Sequence, residues 1–354
     1  MDLTTAWFLI IAFLWIGYFF LEGFDFGVGM LLPVLGRDDV RRRVVINTIG
    51  PVWDGNEVWF IVAGASMFAA FPEWYATLFS GFYLPLLLIL LALIVRGVAF
   101  EYRGKRDDAR WRARWDRAIF WGSVLPAFLW GVAFANIVRG VPLDADHEYA
   151  GTLLDLLNPY ALLGGLTTLT LFVLHGAVFI ALKTTGNVRL HARSVARVAA
   201  VAALVVAGSF LLVTQTQYGK SWTWLAVAGV AAGLAGAAAA NARGREGWAF
   251  IGTGTAVVLA FVTLFGSLFP DVMPSTTTAA NSLTTQNAAS SAYTLEIMTW
   301  VALVFTPIVM IYQGWTYWVF RKRIGTAQIP AAKAAKSGKT GRPGEPATRK
   351  SPIG

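Results

Sequence analysis

Long apolar segments alternate with short polar connections along almost the whole chain. The segments of spanning length cover about residues 6–34, 52–71, 76–98, 118–138, 159–182, 196–213, 222–240, 248–268 and 292–320. Each has about the 20 residues that a helix needs to cross a bilayer. The pattern therefore predicts an all-α polytopic membrane protein with about nine transmembrane helices. We expect this transmembrane domain to cover residues 1–324.

The composition supports this prediction and limits the chemistry. Hydrophobic residues make up 56% of the chain and charged residues 14%, whereas about 25% of a typical soluble protein is charged. The chain has no cysteine, which excludes disulfides, thiolate-bound iron–sulfur clusters and thioether attachment of haem. Residues 325–354 are basic and lack aromatic side chains, so we expect a disordered tail.

Lysine and arginine are concentrated in every second connection. When the amino terminus is placed outside, all of the 29 basic residues except Arg96, Arg139 and Lys220 fall on the cytoplasmic side. Because basic residues favour cytoplasmic loops, we expect an external amino terminus and a cytoplasmic tail. The formal net charge of +9 is then a property of the cytoplasmic face. It suits anionic lipid headgroups and requires no nucleic acid partner.

Four carboxylates lie in segments that lipid should surround. Glu22 and Asp25 belong to the first segment, and Asp54 and Glu57 lie at the start of the second. Each pair is three residues apart and shares one helix face. An ionised side chain near the bilayer centre costs about 2.5–3.5 kcal/mol on an insertion scale, so such acids usually face a protein interior or a water-filled path. We therefore predict a proton pathway through these four residues, open to the cytoplasm.

A structural role for these acids is the alternative. Arg96 closes the third segment on the same side and could form an ion pair with Glu57 or Asp54. Asn56 and Trp53 would support such a pair. Asp54 lies near a helix start, where it could instead cap the first turn. The sequence leaves the conduit, the ion pair and the cap open.

Candidate haem ligands are scarce. Among the three histidines, His175 alone lies at membrane depth, and no methionine is spaced to pair with it. A bis-axial haem needs a second strong ligand, so we expect a packed imidazole, no metal site, and redox centres carried chiefly by a partner chain. Gln313 could contact a neighbouring helix or a lipid headgroup. Tyr317 belongs to the aromatic residues expected to anchor the helices at the membrane interface.

Several motifs resemble subunit II of the cytochrome bd quinol oxidases. They are spread from the first to the last apolar segment: GFDFGVGM at 23–30, Arg42-Arg43 followed by Ile46-Asn47, PVWDGNEVW at 51–59, FSGFY at 79–83, RWR at 110–112 with Trp115-Asp116, GVAF at 131–134, GVP at 140–142, LNP at 157–159, MPS at 273–275 and MTWV at 298–301. The similarity covers all the spans and omits the tail.

The resemblance implies one subunit of a heterodimeric terminal oxidase, built as two four-helix bundles plus one peripheral helix. Such a complex oxidises quinol, reduces O2 to water and generates a proton motive force in the bacterial cytoplasmic membrane. Haem b and haem d would be carried mainly by subunit I. This chain would supply a cytoplasmic proton route and scaffold its partner. Small accessory subunits and a structural quinone in this chain are further features that the family implies.

The resemblance also assigns roles to single residues. Asp54 matches the family carboxylate of a proton route, and Asp25 matches the acid of the motif in the first helix. Glu57 stands where some members have a neutral amide, and this extra acid could alter proton entry or pair with Arg96. The Arg- and Ala-rich composition is typical of high-GC bacteria, which makes menaquinol the expected quinol.

Two other functions remain open from the sequence. A proton-coupled secondary transporter would also bury carboxylates in a helical bundle. It would be expected to have inverted repeats and helices broken near the membrane centre, and the sequence has neither. The other hypothesis is a purely structural subunit that stabilises its partner, which requires the acids to be dispensable.

Overall fold

The computed structural model describes residues 2–329, which are mostly helical. The helices follow in chain order: α1 Leu3–Leu35, α2 Asp39–Asn47, α3 Trp53–Ala70, α4 Pro72–Gly81, α5 Tyr83–Tyr102, α6 Ala109–Arg139, α7 Pro159–Lys183, α8 Gly186–Gln217, α9 Thr223–Ala242, α10 Glu246–Leu268 and α11 Ala292–Val319. Two short strands, β1 Asp271–Met273 and β2 Leu283–Thr284, pair antiparallel between α10 and α11.

Within residues 2–329, eight helices are long and apolar enough to cross a membrane, namely α1 and α5 to α11. Helix α3 has 18 residues and packs against α1. Its first turns carry Asp54, Asn56 and Glu57, which lower its hydropathy. With α3 counted as a further span, the expected all-α polytopic membrane fold is confirmed.

Two four-helix bundles and one outlying helix make up the membrane domain. Helices α1, α3, α5 and α6 pack together, and α7, α8, α9 and α10 form the second group. Helix α1 also packs along α7 and joins the two bundles, while α11 lies against α1 and α3. In α11, Leu295 is buried and most other side chains are exposed. This is the arrangement that the resemblance implied.

Glycines set the distance between the bundles. Gly27 of α1 faces Gly176 of α7, and a Cβ atom added to Gly27 would lie 2.0 Å from the carbonyl oxygen of Phe172 and 2.7 Å from the Cα of Gly176. Carbon atoms in contact are normally about 3.5–4.0 Å apart. The two backbones can therefore approach this closely only because neither residue has a side chain.

The loops gather at two ends of the bundles. At one end, Asp2 accepts a 3.0 Å hydrogen bond from Gln286 Nε2, which lies beside the β1–β2 pair. At the other end, Arg323 forms a 3.3 Å ion pair with Glu246, and the Lys183 carbonyl accepts a backbone hydrogen bond near the end of α11. This grouping agrees with the predicted orientation, in which the second end is cytoplasmic.

Some predicted boundaries differ from the structure. The span expected over 76–98 is divided into α4 and α5, because the backbone at Phe82 (φ −103°, ψ 22°) leaves helical geometry. Helices α6 and α8 begin before the predicted spans. Their first turns are polar, and the length of an apolar segment does not include polar turns. In the expected tail, Thr326–Gln328 form a short 3-10 turn, and residues 330–354 lie outside the described residues.

Candidate functional site

A buried ion-pair cluster joins α1, α3 and α5. The Nη1 atom of Arg96 lies 2.9 Å from Glu22 Oε2 and 2.8 Å from Glu57 Oε1. The side chains of Arg96 and Glu22 are fully buried, and that of Glu57 is 21% exposed. The sequence indicates Glu57 as a possible partner of Arg96, but no sequence feature indicates Glu22 as the other partner. Asp54, the other expected partner, forms no ion pair among the described residues.

Aromatic rings and a glycine hold the guanidinium in place. The Arg96 Cζ lies 4.8 Å from the ring centre of Phe26 and 5.3 Å from that of Phe100. A Cβ atom at Gly122 of α6 would lie 2.7 Å from the Arg96 Cβ, so this glycine makes room for the side chain. The Trp53 ring packs against Phe100, with ring centroids 5.1 Å apart and ring planes tilted by 44°. It therefore supports the cluster through packing rather than through a charge.

Asp25 is also fully buried and has a separate partner. The Asn56 Nδ2 donates to Asp25 Oδ2 at 2.7 Å. The Oδ1 of Asn56 accepts from the Tyr317 hydroxyl at 2.7 Å and from Gln313 Nε2 at 3.3 Å. The Gln313 Oε1 in turn accepts from Trp59 Nε1 at 2.7 Å. These contacts connect α11 to the acid of α1 through α3.

Asp54 occupies a different environment from the other three acids. Its side chain is exposed, unlike those of Glu22, Asp25 and Glu57. Helix α3 begins at Trp53, and its first turn has no side-chain cap. The alternative in which Asp54 caps this helix is therefore wrong. Among the four acids, exposure decreases from Asp54 through Glu57 to the two buried residues of α1.

A cleft of about 750 Å³ separates α11 from α1 and α3. Its walls are mainly apolar and include Trp7, Phe13, Val62 and Phe305. A few polar side chains also line it, namely Asp54, Asn56, Gln313 and Tyr317. Pockets of about 300–1,000 Å³ with apolar walls and a few placed polar groups are typical of small-molecule sites.

The charges of the cluster do not balance. Glu22, Asp25 and Glu57 face the single guanidinium of Arg96, so complete ionisation would leave two negative charges without a partner. Within the described residues, Glu22 Oε1, Asp25 Oδ1 and the Nε and Nη2 atoms of Arg96 are buried and make no hydrogen bond. Buried charge of this kind is normally neutralised by protons, and buried polar atoms by ordered water. The arrangement is chemically suited to binding both.

The surroundings of His175 do not fit a haem. Its imidazole is fully buried, its Nδ1 shares a 2.7 Å hydrogen bond with Thr253 Oγ1, and it stacks on Phe250 with centroids 4.7 Å apart. Phe20 and Phe24 contact the ring from other sides. Aromatic rings therefore occupy the surroundings of the imidazole that a macrocycle would need, and Nε2 is buried without a partner among the described residues. No group of three or more potential metal ligands gathers anywhere in residues 2–329.

Comparison with known proteins identifies the family. The family model described as cytochrome bd terminal oxidase subunit II matches residues 3–320. The chain belongs to the cytochrome bd terminal oxidase subunit II family. It is thus a subunit of an oxidoreductase complex of the bacterial plasma membrane. Membership implies a partner, subunit I, and haem cofactors in the complex.

Curated relatives match over almost their full length. The cytochrome bd ubiquinol oxidase subunit 2 of Bacillus subtilis is 44% identical, and the match covers 91% of this chain and 97% of that protein. The cytochrome bd-I ubiquinol oxidase subunit 2 of Escherichia coli K12 is 38% identical, with 91% and 95% covered. The solved bd oxidase from Geobacillus thermodenitrificans has a chain that matches with a TM-score of 0.73 at 17% identity, covering 91% of this chain and 100% of that one. At that identity the last match shows the fold alone.

Two residues of α11 extend the site beyond the acids and Arg96. The aromatic pattern predicts only an interfacial anchor at Tyr317, whereas the contact expected between Gln313 and a neighbouring helix is confirmed. Both reach Asn56. Their spacing of four residues places them on one helix face, and a polar pair on one face of an otherwise apolar span was the signal available in the cytochrome bd subunit II sequence.

Proposed function

We propose that this chain supplies a proton route from the cytoplasm to the oxygen-reducing centre of a cytochrome bd oxidase and scaffolds the haem-bearing subunit I. The observation that carries the proposal is the graded burial of four acids along α1 and α3. Asp54 is exposed, Glu57 is partly exposed, and Glu22 and Asp25 are fully buried. Reduction of O2 consumes protons, and this series offers successive sites for them.

The partner subunit holds the haems in this proposal. Support comes from the enclosed imidazole of His175, which does not fit a macrocycle. The acids of this chain would accept protons on the cytoplasmic side and pass them toward the partner through bound water. A cluster that binds protons and water accounts for the three carboxylates better than an ion pair alone, because an ion pair with Arg96 needs only one carboxylate.

The test compares acid-to-amide variants in the assembled complex. Asp25→Asn and Asp54→Asn should lower quinol-dependent oxygen uptake and proton uptake from the inside, while haem absorption spectra stay unchanged. Glu73→Gln is the matched control, because this acid is exposed and lies near the predicted external end. Normal turnover with intact haem in both pathway variants would make the acids structural and refute the route.

The cleft beside α11 supports a second role, the binding of a structural quinone. Its volume of about 750 Å³ and its apolar walls suit an isoprenoid chain. The Gln313 amino group donates one hydrogen to Asn56 and would donate its second to a quinone oxygen. Extraction of the purified complex and mass spectrometry would identify the quinone. Val62→Trp should fill the cleft and reduce the amount bound, and an unchanged amount would refute this location.

Menaquinol is the electron donor in this proposal. The support is compositional, namely the Arg- and Ala-rich sequence, whereas the relatives from Bacillus subtilis and Escherichia coli are named for ubiquinol. Turnover of the complex with water-soluble menaquinol and ubiquinol analogues would decide between them. A higher kcat/KM with the ubiquinol analogue would overturn the choice of menaquinol.

A further inference from the structure

The polar contacts between α3 and α11 form a chain in which every hydrogen bond runs toward Asp25. Trp59 Nε1 donates to Gln313 Oε1, Gln313 Nε2 donates to Asn56 Oδ1, and Asn56 Nδ2 donates to Asp25 Oδ2. The Tyr317 hydroxyl adds a second donor to Asn56 Oδ1. Two independent side chains of α11 therefore converge on one amide oxygen.

This direction follows from the chemistry of the residues at the start of the chain. An indole N–H can only donate, so Trp59 fixes the oxygen of Gln313 on its own side and turns the Gln313 amino group toward Asn56. With two donors at its oxygen, Asn56 must present its amino group to Asp25. Gly17 permits the first step, because a Cβ atom there would lie 2.1 Å from the Trp59 ring.

We propose that Gln313 and Tyr317 are positioning residues that hold the Asn56 amino group on Asp25 Oδ2. The inference rests on the proposed proton route. A flipped amide would place two oxygens against each other whenever Asp25 is ionised, and the two donors of α11 prevent this flip. The peripheral helix thus acts on the route through Asn56 without contacting the acid itself.

The same geometry assigns the proton-accepting atom. Asp25 Oδ2 is occupied by the Asn56 amino group, whereas Asp25 Oδ1 is buried and has no partner among the described residues. A proton delivered by water therefore arrives at Oδ1 and leaves from Oδ1. If Asn56 were free to rotate, either oxygen could accept, and the acceptor would no longer be defined.

The experiment uses the assembled complex with Tyr317→Phe and Gln313→Leu. Each variant removes one donor to Asn56 and should lower kcat for oxygen reduction by roughly fivefold, the rate equivalent of a net hydrogen bond of about 1 kcal/mol. The KM for quinol and the haem spectrum should not change. Tyr293→Phe is the control, since Tyr293 lies on the same helix, is 74% exposed and lies outside the residues that line the cleft.

Infrared difference spectroscopy gives a readout that does not depend on turnover. The carboxyl band of Asp25 is identified by its loss in Asp25→Asn. Tyr317→Phe should shift this band, because it loosens the donor on Oδ2, and Tyr293→Phe should leave it in place. An unshifted band in both Tyr317→Phe and Gln313→Leu would overturn the positioning role even if turnover fell.

A double variant separates this inference from the route itself. In the Asp25→Asn background, Tyr317→Phe should cause no further loss of the residual turnover, because its effect passes through Asp25. A second fivefold loss in that background would indicate a merely structural role for Tyr317 and overturn the inference. Full activity of Asp25→Asn alone would instead refute the proton route, whereas a shifted Asp25 band would still support the contact.

Discussion

Replacement of Arg96 by methionine tests the energetics of the buried cluster most directly. The guanidinium contacts Glu22 and Glu57 within 2.9 Å, and neither it nor Glu22 is exposed. Removal of one partner from a buried ion pair typically costs about 3–5 kcal/mol, because the remaining charge has no compensation. At about 2 °C per kcal/mol for a chain larger than 150 residues, we expect the melting temperature of the complex to fall by about 6–10 °C.

The assay is thermal unfolding of the purified complex, followed by loss of haem absorption and by aggregation. Arg41→Met is the control, since Arg41 pairs with Asp38, whose side chain is 52% exposed, and exposed pairs contribute about 0–1 kcal/mol. The double variant Arg96→Met with Glu22→Met should regain most of the lost stability, because it removes the fully buried carboxylate that has lost its partner. Glu57 is partly exposed and Asp25 keeps its Asn56 donor, so these acids are less affected.

Two results would contradict this reasoning. If Arg96→Met is as stable as the unmodified complex, the carboxylates do not depend on the guanidinium and the cluster is solvated more fully than its burial indicates. If the double variant is less stable than Arg96→Met, the loss comes from packing around Phe26 and Phe100 and not from an uncompensated charge.

Two further predictions concern the scaffold. Gly27→Ala should destabilise the complex by about 1–3 kcal/mol, because its Cβ atom would collide with the Phe172 carbonyl oxygen. Gly55→Ala is the control and should be tolerated, since nothing lies within 4 Å of the added atom. Equal melting temperatures of the two variants would contradict this prediction. Asn158→Ala should lower the free energy of unfolding by about 1–2 kcal/mol, since Asn158 caps α7 and donates to Asn136 Oδ1 at 2.8 Å. Amide hydrogen exchange at the first turn of α7 should become faster. Unchanged exchange would refute the role of Asn158 as a cap.

Much of the fold could be predicted because lipid imposes a simple rule on sequence. Apolar segments of spanning length marked most of the helices, and the predicted starts of α7 and α11 agree with the structure. The break at Phe82 could not be predicted, since both α4 and α5 are apolar and only the backbone dihedrals separate them. The polar first turns of α6 and α8 could not be predicted either, because they extend beyond the lipid and hydropathy identifies only apolar segments.

The site was predictable in composition but not in pairing. The free-energy cost of a charge in lipid indicates that the acids and Arg96 belong to a buried site. This cost does not depend on which carboxylate Arg96 contacts, so it cannot predict the pairing. The choice of Glu22 depends on how α1 rotates against α5, which is set by tertiary packing. The contacts of Asn56 with Tyr317 join residues more than 250 positions apart, and no local spacing rule could bring them together.

The position of α11 in the chain has a consequence for biosynthesis. Both bundles are synthesised before α11, yet Asn56 receives its two donors from this helix. A nascent chain that has inserted every earlier span still lacks the side chains that orient its amide. In our proposal the proton site is therefore completed by the final membrane insertion event, so a polypeptide interrupted before α11 would carry the acids without a defined acceptor oxygen.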